Sequence, residues 1–130
     1  MILLDTSSTI DYLNGEEKVL KILQKYKNDK LAISVITLGE LEVGFSRFSS
    51  TKQNQIKTVF DKMLLGKVII LLDVNQKIAV AYGNLQAKLM NKGLSIGGFD
   101  GLISATAIVH DIPLLTSDAG FKRTPGLKLI

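Results

Sequence analysis

Four carboxylates in this sequence stand where they could act together. Asp5 directly follows the apolar run Ile2-Leu3-Leu4 and opens Asp5-Thr6-Ser7-Ser8-Thr9-Ile10. Asp118 follows Leu114-Leu115 within Leu115-Thr116-Ser117-Asp118. Glu40 comes early in the helix expected after a second apolar run, in Ser34-Val35-Ile36-Thr37-Leu38-Gly39-Glu40-Leu41, and Asp100 stands just before a helical pattern from Gly101 to His110. Singly, each has a structural explanation. Asp5 and Asp100 suit helix N-caps, Thr37 to Glu40 reads as a capping box, and Asp118 suits a turn. Together they would repel and raise one another's pKa values. A bound divalent cation turns that repulsion into coordination.

The chemistry of the donors narrows the ion. The chain has no cysteine and a single histidine, His110. That excludes disulfides, thiolate zinc sites and cysteine nucleophiles, and argues against zinc in general. A site made of oxygens points to magnesium, with manganese as the alternative. Such an ion polarises a phosphoryl oxygen and lowers the pKa of a water that attacks in line, which is metal-assisted phosphodiester cleavage.

The elements that must position these acids follow from the apolar pattern. Ile2 to Leu4, Leu31 to Val35, Val68 to Leu72, Pro113 to Leu115 and Leu127 to Leu129 read as short buried strands. Between them, Val19 to Tyr26, Ile56 to Leu64, Ile78 to Leu89 and Leu102 to Val109 carry apolar residues at helical spacing. Alternation of this kind predicts an α/β three-layer sandwich with a central, mostly parallel sheet of about four to five strands. Its ligand crevice lies at the carboxyl ends of the strands. The acids fall there.

With 130 residues, no repeat and no linker, residues 1–130 are expected to form one domain. Hydrophobic residues make up 46% of the chain, enough for a core without staples. The net charge of +4 favours a polyanionic partner mildly, because the lysines are dispersed rather than gathered in one run. Met1 to Leu4 is too short for a signal peptide, and no apolar stretch approaches the roughly 20 residues of a membrane helix. The expectation is a cytoplasmic protein without membrane contact.

At this point four motifs align with one family. Leu4-Asp5-Thr6-Ser7 with Ile10, Leu13 and Gly15 resembles the start of a PIN domain. Ser34 to Leu41 with Gly44 resembles its second motif, Asp100 to Ala107 its third, and Leu114 to Asp118 with Phe121 its fourth. Pro125-Gly126-Leu127 looks like the usual run into the last strand. Order and spacing match from end to end, in the manner of the VapC-type toxin ribonucleases of toxin–antitoxin pairs. The resemblance implies that Asp5, Glu40, Asp100 and Asp118 bind one or two magnesium or manganese ions and catalyse endoribonucleolytic cleavage of RNA. It also implies a homodimer and inhibition by a cognate antitoxin protein. Ser7 and Thr116 are the supporting polar residues; many relatives carry Asn where this chain has Ser7, so Thr116 is the better of the two.

Other signals compete. Glu42 rivals Glu40, and the two lie about 200° apart on a helix, so only one can face the crevice. Asp73 reads as a cap of the helix after it, Gly97-Gly98 as a flexible loop, and His110 as a structural residue favoured at a helix C-terminus. Lys52 to Lys62 suits an RNA backbone or a solvated helix face. Val43, Phe45 and Phe48 suit a groove for an antitoxin helix or simple core packing. The alternative function is a non-catalytic metal-binding or receiver-like regulatory domain, but receiver domains use adjacent acids early in the chain, and the first strand here offers one. A DNA-directed flap nuclease would carry more carboxylates on a longer chain.

Overall fold

A computed structural model describes residues 1–130. In chain order the elements are β1 (Ile2–Leu4), α1 (Thr6–Leu13), α2 (Glu17–Gln24), β2 (Leu31–Ser34), α3 (Val35–Arg47), α4 (Thr51–Leu65), β3 (Ile69–Leu72), α5 (Gln76–Asn91), α6 (Gly98–His110) and β4 (Leu114–Leu115), with a 3-10 turn at Ala119–Arg123. The four strands form one parallel sheet in the order β3-β2-β1-β4. No helix is long and apolar enough to cross a membrane.

Because strand side chains alternate, each strand feeds two cores. Ile2 and Leu4 pack with Ile33, Ile69 and Leu115 against Val19, Leu41 and Phe60 on one face. Leu3, Ala32 and Leu114 pack with Ile103, Ala107 and Phe121 on the other. Helices therefore cover both faces, and the predicted three-layer α/β sandwich is the observed one. Phe60 is fully buried. Truncating such a ring to alanine costs about 3–5 kcal/mol.

The strand order fixes the crevice. From β1 the chain runs outward through β2 to β3, then returns to place β4 on the other side of β1. The order thus reverses between β1 and β4, and the carboxyl ends of those two strands flank a topological switch point.

Several boundaries differ from the sequence expectation, each for a local reason. Strand β2 stops at Ser34, whose hydroxyl accepts from the Ile36 N–H at 3.1 Å and caps α3. Thr37 to Glu40 is consequently no capping box; Thr37 is fully buried inside the helix. Helix α6 begins at Gly98 with Gly97 as its cap residue, so the two glycines open a helix rather than form a flexible loop, and Asp100 sits in its first turn. Asn75, not Asp73, caps α5 by accepting from the Ile78 N–H at 3.0 Å. The expected fifth strand is reduced to one parallel bridge between Leu114 and Leu129.

Helices α5 and α6 approach closely at Gly101. A Cβ there would stand 2.8 Å from Tyr82 Cε2 and from Gln86 Nε2. Gln86 in turn donates to the Ile96 carbonyl at 3.0 Å, tying α5 to the segment that leads into α6. Together these contacts fix the first turn of α6, and with it Asp100.

Candidate active site

Asp5 is the first residue beyond β1 and is buried, at 3% exposure. Both of its carboxylate oxygens are occupied. Oδ1 accepts from the Ser8 N–H at 2.8 Å and caps α1, while Oδ2 accepts from the Thr116 hydroxyl at 2.5 Å. The second contact follows from register. Leu4 and Leu115 are partners in β1 and β4, so the next residue on each strand meets the other at the switch point. These hydrogen bonds offset the desolvation a buried carboxylate would otherwise suffer.

Thr116 links two of the acids. Besides donating to Asp5, its oxygen accepts from the Asp118 N–H at 3.0 Å. The Asp118 carboxylate caps the 3-10 turn through the Gly120 N–H at 2.8 Å, and its residue is exposed. Asp118 thus both shapes a turn and faces the crevice side of β4.

Glu40 lies in the second turn of α3, half-buried. Its Oε1 is 2.6 Å from Thr6 Oγ1, which is also 3.3 Å from Thr37 Oγ1. A hydroxyl has one proton to give. The short contact assigns it to Glu40, so Thr37 donates to Thr6 in turn. Glu42 points elsewhere: Lys57 of α4 donates to it at 3.0 Å and also pairs with Asp61 at 3.2 Å. Hydrogen bonding to Glu42, then to Asp61, raises the Lys57 pKa. Glu40 is therefore the acid of α3 that faces the crevice.

Asp100 reports how the acids combine. Its carboxyl is pushed above the usual aspartate range by burial, then by the charges of Asp118, Glu40 and Asp5. All of these influences act in one direction. Acids following β1, on α3 and after β4 thus act on the carboxyl of Asp100 on α6. Ser7 does not join them; it is exposed on α1 and enters none of these hydrogen bonds. The residue that sequence reasoning passed over is Thr6. Its signal was its place directly after Asp5, but its target, Glu40, lies 34 positions away.

The donor set suits a hard cation. No three acidic side chains close around a single point unaided. Magnesium keeps several of its waters and needs only one or two carboxylates directly, so the remaining acids can act through those waters. Burial is the first cause of the raised Asp100 pKa, and the charges of Asp118, Glu40 and Asp5 add to it.

Comparison with known proteins gives a consistent picture. The family model described as PIN domain matches residues 2–127. The chain is 39% identical over 104 residues to Ribonuclease VapC2 of Rickettsia felis, covering 79% of this chain and 75% of that protein. Among solved structures it resembles a chain of VapBC2 from Rickettsia felis bound to a DNA fragment from their promoter, with a TM-score of 0.84 and 34% identity. That match covers 100% of this chain and 98% of the other. It also resembles a chain of a toxin–antitoxin complex from Klebsiella pneumoniae, with a TM-score of 0.75 and 26% identity over 100% of this chain and 96% of the other.

Proposed function

The chain belongs to the PIN domain family, and from that membership we propose that it is a magnesium-dependent endoribonuclease acting as the toxin of a toxin–antitoxin pair. The observation that carries the reading is the hydrogen-bonded arrangement at the switch point of the sheet, where Thr116 joins Asp5 to Asp118 and Thr6 holds Glu40. Manganese would satisfy the same oxygen donors.

In this reading Asp5, Glu40, Asp100 and Asp118 hold the ion, some directly and some through its waters. The ion, when bound, supplies Lewis-acid polarisation of the phosphoryl group and acidifies the attacking water. The chain's own residues position it. Thr116 orients Asp5 by donating to Oδ2, and couples that orientation to Asp118 through the Asp118 N–H. Thr6, supported by Thr37, holds Glu40 toward the crevice. Partners of this kind, one step removed from a metal, are typically worth 10–100-fold in metal affinity or activity.

The substrate is RNA, by likeness to relatives named ribonucleases, and the +4 net charge assists its approach. The regulating partner is a cognate antitoxin, by likeness to the complexes in which related chains occur. A homodimer is the assembly the family resemblance implies, and the cytoplasm the compartment. Incubating purified protein with total RNA, with magnesium and then with EDTA, tests the activity. Discrete fragments that need magnesium support it. Bound magnesium without cleavage would favour the non-catalytic metal-binding domain.

A further inference from the structure

Beside the carboxylates lies a feature that the cleavage chemistry leaves unused. Phe99, the residue before Asp100 in the first turn of α6, is 57% exposed, and Val43, three residues beyond Glu40 on α3, is 58% exposed. With Val35, Ile36 and Gly39 they line a recess of about 290 Å³, one wall of which is Glu40 itself. A Cβ at Gly39 would meet nothing within 4 Å, so the recess is open there.

We propose that this recess holds an unpaired base of the RNA, stacked on Phe99, next to the phosphodiester bond that is cut; the proposal rests on the ribonuclease reading above. The carboxylates repel phosphates except through the ion. A nucleotide whose phosphate sits on that ion has its ribose and its base left to anchor, and of the two the base offers the flat apolar face. The surface adjoining Glu40 and Asp100 on the α3–α6 side is apolar and aromatic, which suits the face of a base and not its phosphate. Single-stranded RNA is commonly read in this way, by bases splayed out onto aromatic side chains. Glu40 is the only charged side chain in the recess, so little is available to read base edges. Such stacking is tolerant of sequence, because every base presents a π-face.

The test uses the full chain and a short single-stranded RNA that the wild type cuts. Phe99→Ala is expected to raise KM about tenfold, and Phe99→Trp to restore it, with kcat within about twofold in both. An abasic nucleotide at one position flanking the cut should raise the wild-type KM equally and add nothing to Phe99→Ala, as expected for two changes that remove one contact. Melting temperature and mass by light scattering should be unchanged. A wild-type KM in Phe99→Ala, or a loss that no abasic substitution reproduces, overturns the proposal. So does a change in oligomeric mass, which assigns the face to a second copy of the chain. A wild type that cuts no RNA removes the ribonuclease reading itself, whereas a cutting enzyme indifferent to Phe99 removes only the stacked base.

Discussion

Thr116 and Asp5, 111 positions apart in the chain, are joined by a hydrogen bond of 2.5 Å. Parallel register makes that contact: with Leu4 opposite Leu115, the residues that leave β1 and β4 meet at the point where strand order reverses. The site is thus assembled by the sheet before any ion arrives. Thr116→Val leaves Asp5 Oδ2 buried without its donor and deprives the Asp118 N–H of its acceptor. Such a loss costs about 1–3 kcal/mol of stability. Denaturant unfolding should show it, with Thr116→Ser close to wild type; equal stability of the Val variant would contradict the linkage.

Thr6 and Ser7 should separate cleanly. Thr6→Val removes the donor to Glu40, and by the usual worth of such a partner lowers RNA cleavage or metal affinity roughly 10–100-fold. Ser7→Ala should leave both unchanged. Rates and magnesium titrations on the two variants decide the matter, and a Ser7 effect equal to that of Thr6 would count against the assignment.

The two glutamates of α3 should differ as sharply. Glu40→Gln should abolish most cleavage while the protein stays folded. Glu42→Gln loosens a solvent-exposed pairing with Lys57 and should leave cleavage near wild type. Single-turnover rates, checked against circular dichroism, measure both.

Asp100 makes the metal-free protein sensitive to pH. Its folded-state pKa lies above the ordinary 3.8, so its protonated form favours the fold. That contribution is fully present below the unfolded value and is lost as pH rises through the folded one. In EDTA, the melting temperature should fall over that window, and less so in Asp100→Asn. Magnesium should restore more stability at pH 7 than near pH 4. Identical profiles for wild type and Asp100→Asn would show that the Asp100 carboxyl is not raised in the folded protein.

Much of the architecture was legible because buried parallel strands are written as short apolar runs, as at Ile2 to Leu4 and Ile69 to Leu72. Asp5 and Asp118 were legible for the same reason, since Asp5 directly follows such a run and Asp118 stands three residues beyond one. Helix starts were less so. Ser34 caps α3 and Gly97 opens α6 by local geometry that apolar periodicity does not report. The choice between Glu40 and Glu42 depended on Thr6 and on Lys57, partners in other elements. The role of Gly101 became visible only with Tyr82 and Gln86 beside it.

The most direct test of the central claim is RNA cleavage by Glu40→Gln, Asp100→Asn and the double variant under saturating magnesium. If both acids serve one ion, each single variant loses orders of magnitude and the double loses little more, the non-additivity of groups that act as a unit. Near wild-type rates in either single variant, or losses that simply multiply, would contradict a shared catalytic centre.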